Sequence, residues 1–348
     1  MSRPMSFLDL TPIESGSSAP QALRESLELA LLAERLGYAR LWYAEHHNTT
    51  GLASGAPEIM IAHVAAHTTQ LRLGSGGVML PNHAPLRIAE AFRLLEALYP
   101  GRIDLGLGRA PGTDGLTAYA MRRSREAMTG DDYPELLAEM LAYDDGSFPA
   151  EHPFRAITAV PGGVALPPVW LLGSSDFSAQ LAAEMGLGFA FAAHINRPGA
   201  VSALRAYRAG FVPSARYAEP RAMLTVSVTV GEDAAHAREL SLINDLFLLR
   251  LRTGRMGAFP TLEEAREYRY APAERALLAS MPVNYLAGDA ASVRRQVEEF
   301  ADLAGADEVM LTTTLPNPTD RRRTLVELAR EFGLVGRRAE AREVVGVG

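Results

Sequence analysis

Three adjacent polar side chains, Glu45, His46 and His47 in the stretch WYAEHHNTTG, follow a run of strand-like residues. A carboxylate beside two imidazoles can take up, hold and release protons near neutral pH, where imidazole titrates. Adjacent side chains on an extended strand point to opposite sides, so His46 and His47 cannot both face one site unless the strand has already ended. The same three residues also suit a hydrogen-bonded cluster that ties off a strand end. A second stretch, LLGSSDFSAQLAAEMG, runs from a strand through Gly173 into small hydroxyl residues and then a helix. Helix N-terminal N–H groups favour an anion, and Ser174, Ser175 and Ser178 would add hydroxyl donors. Ordinary N-capping by serine uses the same residue type. Arg109, in GLGRAPG, would supply a guanidinium to a phosphate held there.

Glycines mark two further places. Gly106, Gly108 and Gly112 do not follow the G-x-G-x-x-G rhythm, which argues against a dinucleotide fold. They suit close backbone approach beneath a flat ligand, or a plain turn. In LGSGGVMLP, Ser75, Gly76 and Gly77 interrupt a strand pattern, which is a bulge, a place where something packs on the backbone, or a weak strand. His63 and His67 in HVAAH have a helical i, i+4 spacing, but no glutamate follows His63. That pair reads as structural or surface, and no metal is expected.

Composition excludes several chemistries. The chain has 348 residues, a formal net charge of −7, no cysteine, and no lysine among its 34 basic residues. Disulfides, thiolate nucleophiles and sulfur-ligated clusters are therefore out, as are Schiff bases and a P-loop lysine. No stretch concentrates positive charge as nucleic acid requires. No apolar run is long enough to span a membrane and no signal peptide is apparent, so the expected location is cytoplasmic. Any difficult chemistry has to come from carboxylate, histidine or serine, from a metal, or from a cofactor held without covalent bonds.

The elements that must position these residues alternate. Eight short apolar runs, MSFLDL, ARLWYA, LRLGSGGVML, RIDLGLG, PVWLLG, GFAFAA, AMLTVSVTV and DEVMLTTT, are separated by amphipathic segments such as 20–36 and the one starting at Pro85. This predicts an α/β class protein, a (β/α)8 TIM barrel of parallel strands. The strand ends would then gather Glu45 to His47, Ser75 to Gly77, Arg109, Gly173 to Ser175, His194, Thr312 and Thr313 at one mouth. Two connections are too long to be plain loops, about sixty residues after strand four and the stretch 231–307 after strand seven, the second read as helical. Such insertions form lids or line subunit contacts. Residues 1–336 are taken as one domain and 337–348 as a flexible tail.

The segments LWYAEHHN, LRLGSGGVMLPNHAPLRIAEAFRLLEALYPGRIDLGLGRAPGTD, VWLLGSSDFSAQLAAEMGLGFAFA and NYLAGDAASVRRQVEEFADLAGADEVML together resemble the bacterial luciferase-like monooxygenases, in a branch carrying AEHHN and GRAPGTD. The resemblance runs over roughly residues 5 to 332. It implies a barrel with insertions, usually a homodimer, binding FMN at the mouth. His46 matches the family's catalytic histidine, with Glu45 and His47 beside it. Arg109, Ser174, Ser175 and Ser178 resemble the phosphate ligands, and Arg125 is a weaker match to a second phosphate arginine. A cis peptide would fall at Gly76–Gly77, beneath the flavin ring. Luciferase's reactive cysteine is replaced by Gly108, so light emission is not implied, and the segment after Arg250 does not match its mobile loop.

The resemblance implies a two-component monooxygenase. A separate flavin reductase would supply reduced FMN, which reacts with dioxygen to a flavin 4a-hydroperoxide that oxygenates a small organic substrate. His46 would transfer a proton or hydrogen-bond the peroxide. The alternatives are a deazaflavin-dependent hydride-transfer oxidoreductase and a non-catalytic flavin-binding protein. Trp42, Phe7, Phe191 and Met79 suit an apolar substrate, or simply core packing.

Overall fold

The run Ile103-Asp-Leu-Gly-Leu-Gly108 shows how the sequence builds the sheet. Ile103, Leu105 and Leu107 alternate outward into a fully buried layer, while Asp104, Gly106 and Gly108 turn inward. In the computed structural model, which describes residues 3–124 and 132–334, this run is strand β5 of a closed parallel barrel. The strands are β1 (Met5–Asp9), β2 (Arg40–Tyr43), β3 (Arg72–Ser75), β4 (Val78–Met79), β5 (Ile103–Gly108), β6 (Val169–Gly173), β7 (Gly188–Ala192), β8 (Ala222–Val230), β9 (Tyr285–Gly288) and β10 (Glu308–Thr312). The ring runs β10-β1-β2-β3-β5-β6-β7-β8 and closes where β8 pairs with β10. All eight expected strands are present. The third is broken between Ser75 and Val78, where the Gly76–Gly77 peptide is cis, and β4 resumes beside β5.

Helices cover the outside, beginning with α1 (Ala19–Leu36), α2 (Pro57–Ala65), α3 (Pro85–Leu98), α4 (Gly115–Arg122), α5 (Tyr133–Asp145) and α6 (Asp176–Glu184). They continue with α7 (Ala200–Gly210), α8 (Ala234–Arg252), α9 (Leu262–Glu267), α10 (Pro272–Ser280), α11 (Ala290–Ala304) and α12 (Pro318–Glu331). Helix α1 illustrates the local signals. Ser18 caps it by accepting the Gln21 N–H, Pro20 sits in its first turn, and Gly37 ends it at φ 87°. Among the described residues, no helix is long and apolar enough to cross a membrane.

Two layers of core result. The larger lies between strands and helices and contains Leu41, Tyr43, Leu73, Ile103, Leu105 and Phe92. The smaller fills the barrel interior with Leu8, Trp42, Ala44, Trp170, Ala190, Met223 and Met310. Trp42 and Trp170 meet edge to face with ring centroids 5.8 Å apart. Gly74 makes room for them, since a Cβ there would lie 2.6 Å from the Trp42 indole nitrogen. Beneath these rings, at the strands' N-terminal ends, Asp104 accepts hydrogen bonds from Arg40 at 2.9 Å, from Arg72 and from Trp42 Nε1, while Arg40 also pairs with Glu308 at 2.8 Å. The bottom of the barrel is thus sealed by charge pairs and indole rings.

Both long connections are insertions. The first carries α4 and α5. The second holds α8, α9 and α10 and also β9, which pairs with residues 227–230 of β8, so the expectation of a wholly helical excursion is corrected. The Val, Thr and Ser run of β8 extends past its partner β10, and the exposed end of the ladder recruits β9. This second insertion lies against the barrel mouth. The Phe259 N–H donates to the Ile13 carbonyl at 2.8 Å, and the Ser15 N–H donates to the Phe259 carbonyl at 2.8 Å.

Candidate active site

Above the tryptophan layer the inner wall of one side of the barrel is nearly bare of side chains, because Gly76, Gly77 and Gly108 stand where the alternation would place them. A Cβ on Gly76 would lie 2.7 Å from Leu8 Cδ1, and one on Gly77 2.7 Å from the Gly106 carbonyl oxygen. Neighbouring side chains and backbone therefore pack directly on these glycines, which border a cavity of about 520 Å³ at the C-terminal ends of the strands. This is the end at which barrel enzymes keep their chemistry.

The residues after β2 separate into two roles. His46 lines the cavity, whereas Glu45 and His47 are absent from its wall. Glu45 is buried, and its carboxylate accepts hydrogen bonds from the Met79 N–H at 3.0 Å and from the ring nitrogens of His47 and His83, each at 2.8 Å. Burial works to raise the Glu45 carboxyl, but the hydrogen bonds and charge of His83, then His47 and the Met79 N–H, outweigh it and hold the group below its ordinary range. Glu45 therefore joins the β2 end to β4. Because β2 ends at Tyr43, the opposed directions of His46 and His47 are set by an irregular loop rather than by strand pleating.

His46 keeps a buried Nδ1 without a hydrogen-bond partner. Burial lowers its pKa, opposed by Glu45 and assisted by His47. Across the cavity His194, at the end of β7, also has a buried Nδ1 without a partner. Burial pushes the His194 imidazole down to about 4, against the Thr225 backbone and with a contribution from His46. Two imidazoles whose pKa values burial lowers thus border one cavity, each with a buried Nδ1 that lacks a hydrogen-bond partner. The sequence placed His194 at a strand end but assigned it no role, and nothing in GFAFAAHIN distinguishes it from a capping residue. His83 gave no signal at all, since its partner Glu45 is 38 residues away.

The serine stretch folds as a strand-to-helix turn. Gly173 closes β6, Ser174 and Ser175 form the bend, and α6 follows. Ser175 occupies the N-cap position but its side chain makes no capping hydrogen bond, so the N–H groups of the first turn of α6 are not taken up by it. Ser178 is buried against Gly173, where a Cβ would lie 2.4 Å from the serine Oγ. Gly173, Ser174, Ser175 and Ser178 all border the cavity, as does Arg109, whose guanidinium lies 4.4 Å from the centre of the Phe177 ring. Ser75 does not line it; its hydroxyl donates to the Gly106 carbonyl at 2.8 Å and accepts the Gly106 N–H at 2.9 Å, tying β3 to β5. Arg125 lies outside the described residues. Trp42 and Met79 line the cavity, while Phe7 and Phe191 belong to the outer core.

A barrel mouth that holds two neutral imidazoles beside a glycine-faced wall and a hydroxyl-rich helix start has counterparts among known proteins. The family model described as luciferase-like monooxygenase matches residues 5–308. The chain belongs to the luciferase-like monooxygenase family. A luciferase-like monooxygenase of Escherichia coli (strain K12) is 46% identical over 308 residues, covering 88% of this chain and 90% of its own. The N-acetyl-S-alkylcysteine monooxygenase of Bacillus subtilis (strain 168) is 32% identical over 324 residues, covering 91% and 94%. The crystal structure of apo-MsnO8 superposes with a TM-score of 0.87 at 36% identity, covering 97% of this chain and 99% of that one. As a luciferase-like monooxygenase the protein is an oxygenase, and its barrel is the family's α/β fold.

Proposed function

We propose that the protein uses reduced FMN, delivered by a separate reductase, and dioxygen to oxygenate a small organic substrate, and that it works as a homodimer. The observation that carries this reading is the convergence on one cavity of Arg109, Ser174, Ser175 and Ser178, the glycines Gly76, Gly77 and Gly108, and the imidazoles of His46 and His194. The residues suit the cofactor. Arg109, Ser174, Ser175, Ser178 and the first N–H groups of α6 would hold its phosphate. Gly76, Gly77 and Gly173 border the same cavity and would present backbone to a flat ring. The uncommitted Ser175 side chain supports an anion in preference to simple capping.

When bound, the reduced flavin supplies the electrons that activate dioxygen. The chain supplies the rest. The His46 imidazole, held neutral at working pH by burial, holds or moves a proton at the reacting oxygen, and His194 lines the same space. Glu45 and His47 act at one remove, by fixing the loop that presents His46. Apolar residues from the second insertion exclude water.

Titration of the purified protein with FMN, riboflavin and a deazaflavin tests this, following quenching of the ligand's own fluorescence. FMN is expected to bind more tightly than the deazaflavin. Arg109→Ala should weaken FMN by about tenfold or more, the worth of one charge-assisted phosphate contact, while leaving riboflavin nearly unchanged. Preference for the deazaflavin, or equal losses for FMN and riboflavin, would overturn the assignment. His46→Ala should bind FMN normally and oxygenate about 10²- to 10⁴-fold more slowly.

A further inference from the structure

The polar groups of the cavity divide by whether the protein already uses them. Asn244 on α8 donates to Thr229 Oγ1 at 2.8 Å and accepts from the Thr314 hydroxyl. Asn284 donates to the Ile195 carbonyl at 2.8 Å and accepts the Arg197 N–H at 3.3 Å. Both amides are spent on structure. Asp245, the next residue of α8, lines the same cavity, and among the described residues the polar group that stabilises its charge is the nearby Tyr285 hydroxyl. A carboxylate offers about four acceptor sites, so most of its capacity is unmet.

Nor is its charge balanced. Among the described residues Asp245 is in no ion pair, and Arg250, five residues further along α8, is engaged with Glu264 at 3.5 Å. Burial of the carboxyl raises its pKa, with only the Tyr285 hydroxyl acting the other way, which is the mark of a charge that lacks compensation. The surroundings are otherwise apolar. Phe247, Leu248, Leu251, Met256, Phe259 and Met281 line this part of the cavity, and Phe247 stacks on Phe259 with centroids 4.3 Å apart. All of these come from the second insertion, a different part of the chain from the serine stretch of β6 and α6.

We propose that Asp245 sets substrate specificity, and that the cavity takes an organic amine: an apolar body carrying one ammonium group, which Asp245 pairs with, while the corresponding carboxylate is rejected. A cation supplies the missing counter-charge and donates to the idle oxygens in one contact, and such charge-assisted bonds are about twice as strong as neutral ones. An anionic substrate would meet an uncompensated like charge in an apolar wall, where the interaction is poorly screened. The proposal rests on the reading of this cavity as the monooxygenase site, but its test needs no turnover.

Three probes of equal chain length, octylammonium, octanol and octanoate, are titrated into the purified protein near neutral pH, with and without FMN. Binding is read from tryptophan fluorescence, since Trp42 lines the cavity and the chain has 2 tryptophans. Octylammonium is expected to bind at least about tenfold more tightly than octanoate, a difference of about 1.4 kcal/mol. Asp245→Asn should bring the two within about twofold and leave octanol unmoved, and Asp245→Ser gives the same readout should the first variant fold poorly. Tyr285→Phe, which frees another acceptor site, should keep the preference. Equal binding of the charged probes by the unaltered protein, a preference that survives both Asp245 variants, or binding of none of the three overturns the proposal. FMN affinity measured on the same samples separates the two readings: loss of FMN binding with the amine preference intact refutes the cofactor assignment alone.

Discussion

His46 and His194 show how burial, more than residue type, sets what an imidazole does. Both begin from an ordinary value of 6.5 and both are pushed down, His194 to about 4. The unfolded chain therefore takes up a proton near pH 6.5 that the folded chain refuses until about pH 4. Stability from His194 is complete above pH 6.5, falls as pH drops from 6.5 to 4, and is then flat, for a total of about 3 kcal/mol at most. Glu45 adds to acid sensitivity lower down: its folded pKa is depressed, so its contribution is present above about 4.5 and is lost as pH falls through the depressed value. Urea unfolding between pH 4 and 7 should show this slope, and His194→Asn should flatten the part between 4 and 6.5. An unchanged slope in that variant would mean that the ring is already protonated in the folded protein.

At the scale of elements, the same carboxylate is a joint. Glu45 holds β4 through the Met79 N–H, the loop after β2 through His47, and the 3-10 turn Leu80–Asn82 through the adjacent His83. Removing it strands three buried or half-buried donors at once, and each unsatisfied group costs about 1–3 kcal/mol. Glu45→Ala is expected to lower stability by about 3 kcal/mol and to weaken FMN binding, because the loop that carries His46 and the Gly76–Gly77 segment both lose their anchor. Glu45→Gln, which keeps an acceptor, should lose less than half as much. If both variants leave stability and FMN affinity unchanged, Glu45 does not anchor these elements and acts only through its charge.

Over the whole molecule, the barrel separates stability from chemistry along its axis. The Arg40, Asp104, Arg72 and Glu308 network seals the N-terminal end, the Trp42 and Trp170 rings fill the middle, and the cavity occupies the other end. Asp104 is fully buried beneath two guanidinium groups, so Asp104→Ala removes the carboxylate of Arg72 and one of the two that Arg40 uses, and should cost about 3 kcal/mol. Measured well below the melting temperature, FMN affinity in that variant should stay within about twofold of the parent protein. A large loss of affinity would show that the two ends are coupled through the tryptophan layer.

Much of this was legible in the chain itself. The eight strands announced themselves because each is buried on both faces and so reads as a nearly continuous apolar run, as in the nine residues of β8, all buried. The glycines of β3 and β5 and the serines after β6 were legible because backbone approach and helix starts demand particular residue types locally. The extra strand β9 was not, since its Tyr-Leu-Ala-Gly pairs with an edge that exists only once β8 outruns β10. Nor was the division between His46 and its neighbours. Adjacent to it in sequence, Glu45 is drawn away by His83 and Met79, partners that only chain folding delivers, and His47 follows by bonding to Glu45. Asp245 gave no sign either, because an acid on an amphipathic helix looks solvated until Tyr285, forty residues later, and the apolar cavity wall are placed beside it. Sequence alone determined the eight strands of the barrel and which of their ends carry polar groups, as periodicity and composition act within a few residues. Tertiary structure alone decided which of those groups are spent on one another and which are left free for a ligand, because pairing and burial depend on distances that the sequence does not contain.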